Sequence, residues 1–110
     1  MIFIRITIFL CILINPIILN ASNLSLSNDL STKALKETEK DIDNAILMIQ
    51  QSLVLNPKNA KAWAIAGQIY LLHEDILSAE RFYKKAKAID PILEEVEVLK
   101  SLIDDKRKEG

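Results

Sequence analysis

Apolar residues in the second half of the chain recur at helical spacing. Trp63, Ala66, Gly67 and Tyr70 stand at i, i+3, i+4 and i+7, one face of a helix of period 3.6. This predicts a helix over residues 60–72. A second run, residues 76–89, places Ala79, Phe82, Tyr83, Ala86 and Ile89 on one face. Between the two, His73, Glu74 and Asp75 make a polar break. Pro91 ends the second helix, because proline disfavours helical geometry in the residue before it. Both faces mix very large with very small side chains. Glycine inside a helix costs about 1 kcal/mol relative to alanine, so Gly67, between an indole and a phenol, implies another backbone close against it. The two helices are expected to pack on each other, Ala79 and Ala86 leaving room that the aromatic rings fill.

The pattern repeats upstream. Residues 41–57 align with 75–91 after a step of 34, Ala45 matching Ala79, Ile49 standing at Tyr83, Ser52 at Ala86 and Pro57 at Pro91. Before them, Leu30, Ala34 and Thr38 give a weaker stripe at i, i+4 and i+8, flanked by Leu35. After Pro91, the residues Ile92, Val96, Leu99 and Ile103 form a stripe at i, i+4, i+7 and i+11. The 34-residue register would instead put Glu97, Lys100, Ser101 and Asp104 on the core face. The last helix is therefore offset by one residue, as a capping helix that covers a final exposed face would be, and it ends in the charged tail 104–109.

The N-terminus is of another kind. Residues 1–19 carry one charge, Arg5, and the 14-residue run Ile6 to Leu19 is almost wholly apolar. A positive start, a short apolar core and the small residues around Asn20, Ala21 and Ser22 resemble a secretory signal peptide. Spanning a bilayer takes about 20 apolar residues, and Pro16 interrupts this run. A cleaved signal, an uncleaved membrane anchor and a buried helix all remain open. The expected division is a signal or anchor over 1–21, a flexible lead-in over 22–29 and a degenerate helical unit over 30–57. A complete unit over 58–91 and a capping helix with its tail over 92–110 follow.

Composition narrows the chemistry. With 110 residues, 50% of them hydrophobic, and only two glycines and three prolines, one small helical domain is expected. Fourteen basic residues against fifteen acidic ones leave a net charge of −1, with no basic footprint for nucleic acid. Cys11 is the sole cysteine, so no disulfide forms within the chain. His73 is the sole histidine and falls in the turn, away from any nucleophile it would have to serve as base. Gly67 and Gly110 make no phosphate-cradling loop. Glu94, Glu95, Glu97, Asp104 and Asp105, and the basic group Arg81, Lys84, Lys85 and Lys87, read as water-facing sides of helices. No catalytic residue, cofactor or metal ligand is expected.

The paired helices resemble the tetratricopeptide repeat, a helix-turn-helix unit of 34 residues. With Ala60 as its first position, the eight signature positions fall on Trp63, Ala66, Gly67, Tyr70, Ala79, Tyr83, Ala86 and Pro91, and seven fit. Ala66 stands where leucine is usual. The resemblance implies an all-α solenoid fragment of four or five helices, one full repeat and a half repeat before it. It also implies a partner groove lined by Lys61, Ala64, Gln68 and Leu71. Of the lysine and asparagine pattern by which some members grip a terminal carboxylate, only Lys61 corresponds, Ala64 and Ile65 standing at other clamp positions. The resemblance thus points to a non-enzymatic adaptor or scaffold, exported from the cytoplasm, that binds a protein or peptide. The alternative is a structural or assembly subunit tethered to a membrane through 1–19, which self-associates through its repeat faces. Repeats bury their faces only by stacking, and about three are needed for stability, so docking or homo-oligomerisation is expected.

Overall fold

The computed structural model describes residues 16–110, with side chains from Asn23 onward. Among these residues there are five helices and no strand: α1 Pro16–Glu37, α2 Ile42–Leu55, α3 Ala60–Leu72, α4 Ile76–Ile89 and α5 Glu94–Glu109. Residues 1–15, and with them Cys11 and most of the expected signal or anchor, lie outside the described residues.

The chain stops and restarts its helices by the same local devices twice. Asp41 and Asp75 cap α2 and α4, each side-chain oxygen accepting the N–H three residues on, both at 3.1 Å. At the far ends the backbone N–H groups of Asn56 and Asp90 reach the carbonyls of Ser52 and Ala86 at 3.1 and 2.9 Å. The same two side chains then accept the N–H groups of Lys58 and Ile92 at 3.0 and 3.3 Å, short polar turns around Pro57 and Pro91. Ile42 and Ile76 start these helices and Leu55 and Ile89 end them, each pair 34 residues apart. The 34-residue step is thus a property of the backbone.

Between α3 and α4 the chain reverses through Glu74, whose φ of 64° is left-handed. The N–H of Asp75 bonds the Tyr70 carbonyl at 2.9 Å and that of Glu74 bonds Leu71 at 3.0 Å, closing the end of α3 with a residue where glycine is commonest. α5 lacks a side-chain cap at Leu93; its first turn carries Glu94, Glu95 and Glu97 and its last Lys106, Arg107 and Lys108, charges that complement the helix dipole.

α3 is the hub. It packs against all four other helices, α1 pairs with α2, and α5 lies on both α3 and α4. One core cluster joins Ala34, Ala45 and Ile49 to Ala62, Ile65, Ala66 and Ile69, with Tyr70 and Phe82 against it. Two smaller clusters lie under α5: Ala64, Ala86 and Val96 in one, Leu71, Ala79, Leu99 and Ile103 in the other.

Three expectations need correction. Residues 22–29, expected as a flexible lead-in, belong to α1. The buried stripe of α1 is Ser27, Ser31 and Ala34, whereas Leu30 and Thr38 are only part-buried. Hydrogen bonds explain how polar residues take that place. The Ser27 hydroxyl donates to the Ser52 carbonyl at 2.8 Å and the Ser52 hydroxyl to the Ser27 carbonyl at 2.6 Å. The Asn59 amide nitrogen donates to Ser27 Oγ at 2.9 Å and Asn28 Oδ1 at 2.8 Å, while Asn59 Oδ1 caps α3 at the Ala62 N–H. Third, Ile92 is 90% exposed, because α5 starts only after the Pro91 turn; Val96, Leu99 and Ile103 are buried in the offset register.

Candidate partner-binding cleft

Gly67 leaves space for a side chain, not for a backbone. A Cβ added there would run into Leu99 Cδ2 and lie 3.0 Å from Cδ1, so the glycine lets the leucine of α5 press onto α3. Val96 settles on Ala64 and Ala86, and Leu99 and Ile103 on Leu71 and Ala79. The small residues read from the sequence as a contact between α3 and α4 therefore also seat α5. One consequence falls on the expected groove. Ala64 is fully buried and Leu71 is 7% exposed, so α5 covers two of its four residues; Lys61 and Gln68 keep part of their surface.

Of the aromatic positions, Tyr70 and Phe82 pack on the larger core cluster, whereas Trp63 and Tyr83 border the clusters under α5. The Trp63 indole N–H donates to the Pro57 carbonyl at 2.7 Å, tying α3 to the turn before it. Phe82 stands between Trp63 and Tyr70, at ring separations of 5.7 and 4.9 Å, the second edge-on. Tyr70 Oη accepts from Gln50 Nε2 at 3.1 Å, linking this set to α2. Tyr83 packs in both clusters beneath α5, and Pro91 is exposed in its turn.

What stays open lies between the C-terminal halves of α3 and α5. Gln68, Leu71, Leu72 and Glu74 form one wall of a cleft of ≈ 510 Å³; Leu102, Asp105, Lys106 and Glu109 form the other. Leu72 and Leu102 are 58% and 40% exposed, so the floor is aliphatic and wet. Lys106 Nζ bonds Glu74 at 2.9 Å and lies 3.6 Å from Glu109. The hydrogen bond to Glu74, with the charges of both carboxylates, raises the Lys106 pKa above the usual lysine value against the smaller effect of its desolvation. Three carboxylates against one ammonium leave the rim acidic. Leu102 was not singled out in the sequence and Asp105 only as part of a water-facing side, although a 34-residue step from Gln68 and Leu71 lands on them.

A second hollow of ≈ 510 Å³, between Leu30 of α1 and Leu47, Gln50, Gln51, Val54 and Leu55 of α2, has no charged lining residue. Leu47 and Val54 are 53% and 82% exposed there. The basic group on α4 is partly engaged: Lys85 lies 5.7 Å over the Trp63 ring, Lys87 lies 5.8 Å over Tyr83, and Arg81 donates to Ser78 Oγ at 2.9 Å. His73 is exposed at the end of α3. Among the described residues no helix is long and apolar enough to cross a membrane.

No protein-family model matches the chain, and no solved structure does. A stretch of 74 residues is 30% identical to the protein adenylyltransferase fic-1 of Caenorhabditis briggsae. The match covers 66% of this chain, which spans 15% of that relative's length.

Proposed function

We propose that this chain is a non-enzymatic interaction module of tetratricopeptide-like build, a short helical solenoid that holds a protein or peptide segment in the cleft between α3 and α5. The observation that carries the reading is the cleft, where Leu72 and Leu102 remain exposed beside Gln68. Its acidic rim favours a segment bearing an aliphatic residue next to lysine or arginine. The 34-residue recurrence of helix ends and caps supports the repeat reading, as does the joint placing of Gly67, Ala79, Ala86 and Pro91. The activity in the name of fic-1 belongs to a much longer protein. For this chain we favour binding over nucleotidyl transfer, since its single histidine lies in an exposed turn and its two glycines build no phosphate loop. Export from the cytoplasm, through residues 1–21 as a signal, belongs to the same proposal and rests on the apolar run alone.

Panning a random peptide library against the purified chain tests this reading. A selected peptide should bind at least tenfold more weakly to Gln68→Arg and Leu102→Asp variants that keep their helical circular dichroism. Absence of enrichment, or binding indifferent to both substitutions, refutes it. The second reading, a membrane-tethered subunit that self-associates, is favoured by the uncharged α1–α2 hollow with its exposed Leu47 and Val54. Sedimentation of a Val54→Asp variant distinguishes it: loss of an oligomer seen for the parent chain would give that reading the lead.

A further inference from the structure

α5 sits on the rest of the molecule as a ligand sits in a site. The space at Gly67 takes Leu99, the small pair Ala64 and Ala86 takes Val96, and the ammonium of Lys106 meets Glu74. Arg107 meets Glu80, its Nε donating at 3.1 Å, so two acidic groups on the seat match two basic groups on the helix. The connection to this seat is slight. Asp90 and Leu93 are already extended (φ −145°, ψ 93° and φ −66°, ψ 134°), and only Pro91 and Ile92 turn between them. Both hydrogen bonds across the turn are long: Ile92 N–H to Asp90 Oδ1 at 3.3 Å and Leu93 N–H to the Asp90 carbonyl at 3.4 Å. Ile89, just before the turn, and Ile92, within it, are 39% and 90% exposed.

We propose that the α3–α4 seat accepts α5 from a second copy of this chain, giving a dimer by reciprocal exchange of residues 94–109. Exchange remakes every contact of α5 with its seat between two chains, so the seat chemistry neither gains nor loses, and only the two long bonds of the turn are given up. The straightened connectors then run beside each other, and the exposed Ile89 and Ile92 side chains gain apolar partners that the closed chain does not give them. The dimer is favoured by concentration, as any association is. High salt screens the Glu74–Lys106 and Glu80–Arg107 pairs and speeds release of α5 from its own seat. The inference does not rest on peptide binding: in either arrangement an α5 lies beside α3 and the cleft is re-formed.

The test uses the full chain with Cys11→Ser as background. One preparation carries Glu80→Cys and another Arg107→Cys; they are mixed, incubated and treated with a short bismaleimide reagent. Exchange places the two cysteines of different chains together, so a mixed cross-linked dimer should form. Its yield should rise with protein concentration and, at early times, with salt. Ile92→Ser should lower the yield severalfold, while a single chain carrying both cysteines still cross-links internally, showing that the seat survives. The proposal is overturned if the mixed product does not exceed that from Arg107→Cys mixed with an Asp43→Cys chain. It is equally overturned if light scattering finds a dimer without the 80–107 cross-link, which would place self-association on another face.

Discussion

The two helix pairs share a backbone period yet hold their neighbours by opposite means. At the α1–α2 junction Ser52 meets Ser27 through two reciprocal hydroxyl-to-carbonyl bonds, and Asn59 ties both to the start of α3. Thirty-four residues on, Ala86 stands where Ser52 stands and meets Val96 and Ala64 by shape alone. The polar junction has every buried side-chain donor and acceptor paired, as far as the described residues extend. Such a network loses most when one member goes, because its partners stay buried without bonds. The apolar junction instead responds to volume, in either direction.

The largest effect expected is on the apolar side. Leu99→Ala empties a fully buried site and should cost about 2–5 kcal/mol in urea unfolding. Asn59→Ala should come next, at about 2–3 kcal/mol, since it removes a helix cap together with two bonds to the serine pair. If it costs no more than an exposed cap alone, about 1 kcal/mol, the network is not holding the junction. Gly67→Ala is smaller, because overpacking against Leu99, about 1–3 kcal/mol, is offset by about 1 kcal/mol of better helix propensity. In the double variant with Leu99→Ala the alanine at 67 should turn neutral or stabilising; strict additivity would mean that Leu99 does not fill that space.

Two smaller effects separate the turn from the helix pairs. Glu74→Gly relieves a left-handed residue, worth about 1 kcal/mol, but also deletes the partner of Lys106. The variant should therefore be more favourable at high salt, where that pair is screened, than at low salt; no difference between the two would show the pair to be inert. The pH profile gives two signs. The Ser78 hydroxyl and N–H bonded to Asp75 hold its carboxyl below the usual value, more than desolvation raises it. The contribution of Asp75 is present above the ordinary carboxylate pKa and is lost as pH falls through the depressed one. Lys106, with a raised pKa, contributes fully below the ordinary lysine value and loses its contribution as pH rises through the raised one. Asp75→Asn should flatten only the acid side and Lys106→Met only the alkaline side of a stability profile.

How much was legible follows from the range of each cause. The extents of α3 and α4 and the 34-residue step from α2 to α4 could be read from local pattern, and so could the offset stripe of α5 except for Ile92. Caps, prolines and apolar spacing act within a few residues. The serine stripe of α1 could not be read that way, because Ser27 is stable in the interior only through Ser52 and Asn59, 25 and 32 residues away. Of the residues expected in a groove, Gln68 and Leu71 line the α3–α5 cleft, whereas Ala64 lies beneath a helix whose position no local rule gives.

By itself, then, the order of residues determined an all-helical chain, where its central helices start and stop, and which residues are small enough for close approach. Hydrogen-bond caps and side-chain volume are local properties and survive translation into any packing. Only the tertiary structure decided what fills each space: Leu99 at Gly67, Ser27 against Ser52, and the acidic cleft left where α5 diverges from α3. A space in one helix specifies the size of its occupant but not which distant segment supplies it, since that choice is made by the sum of contacts over the whole chain.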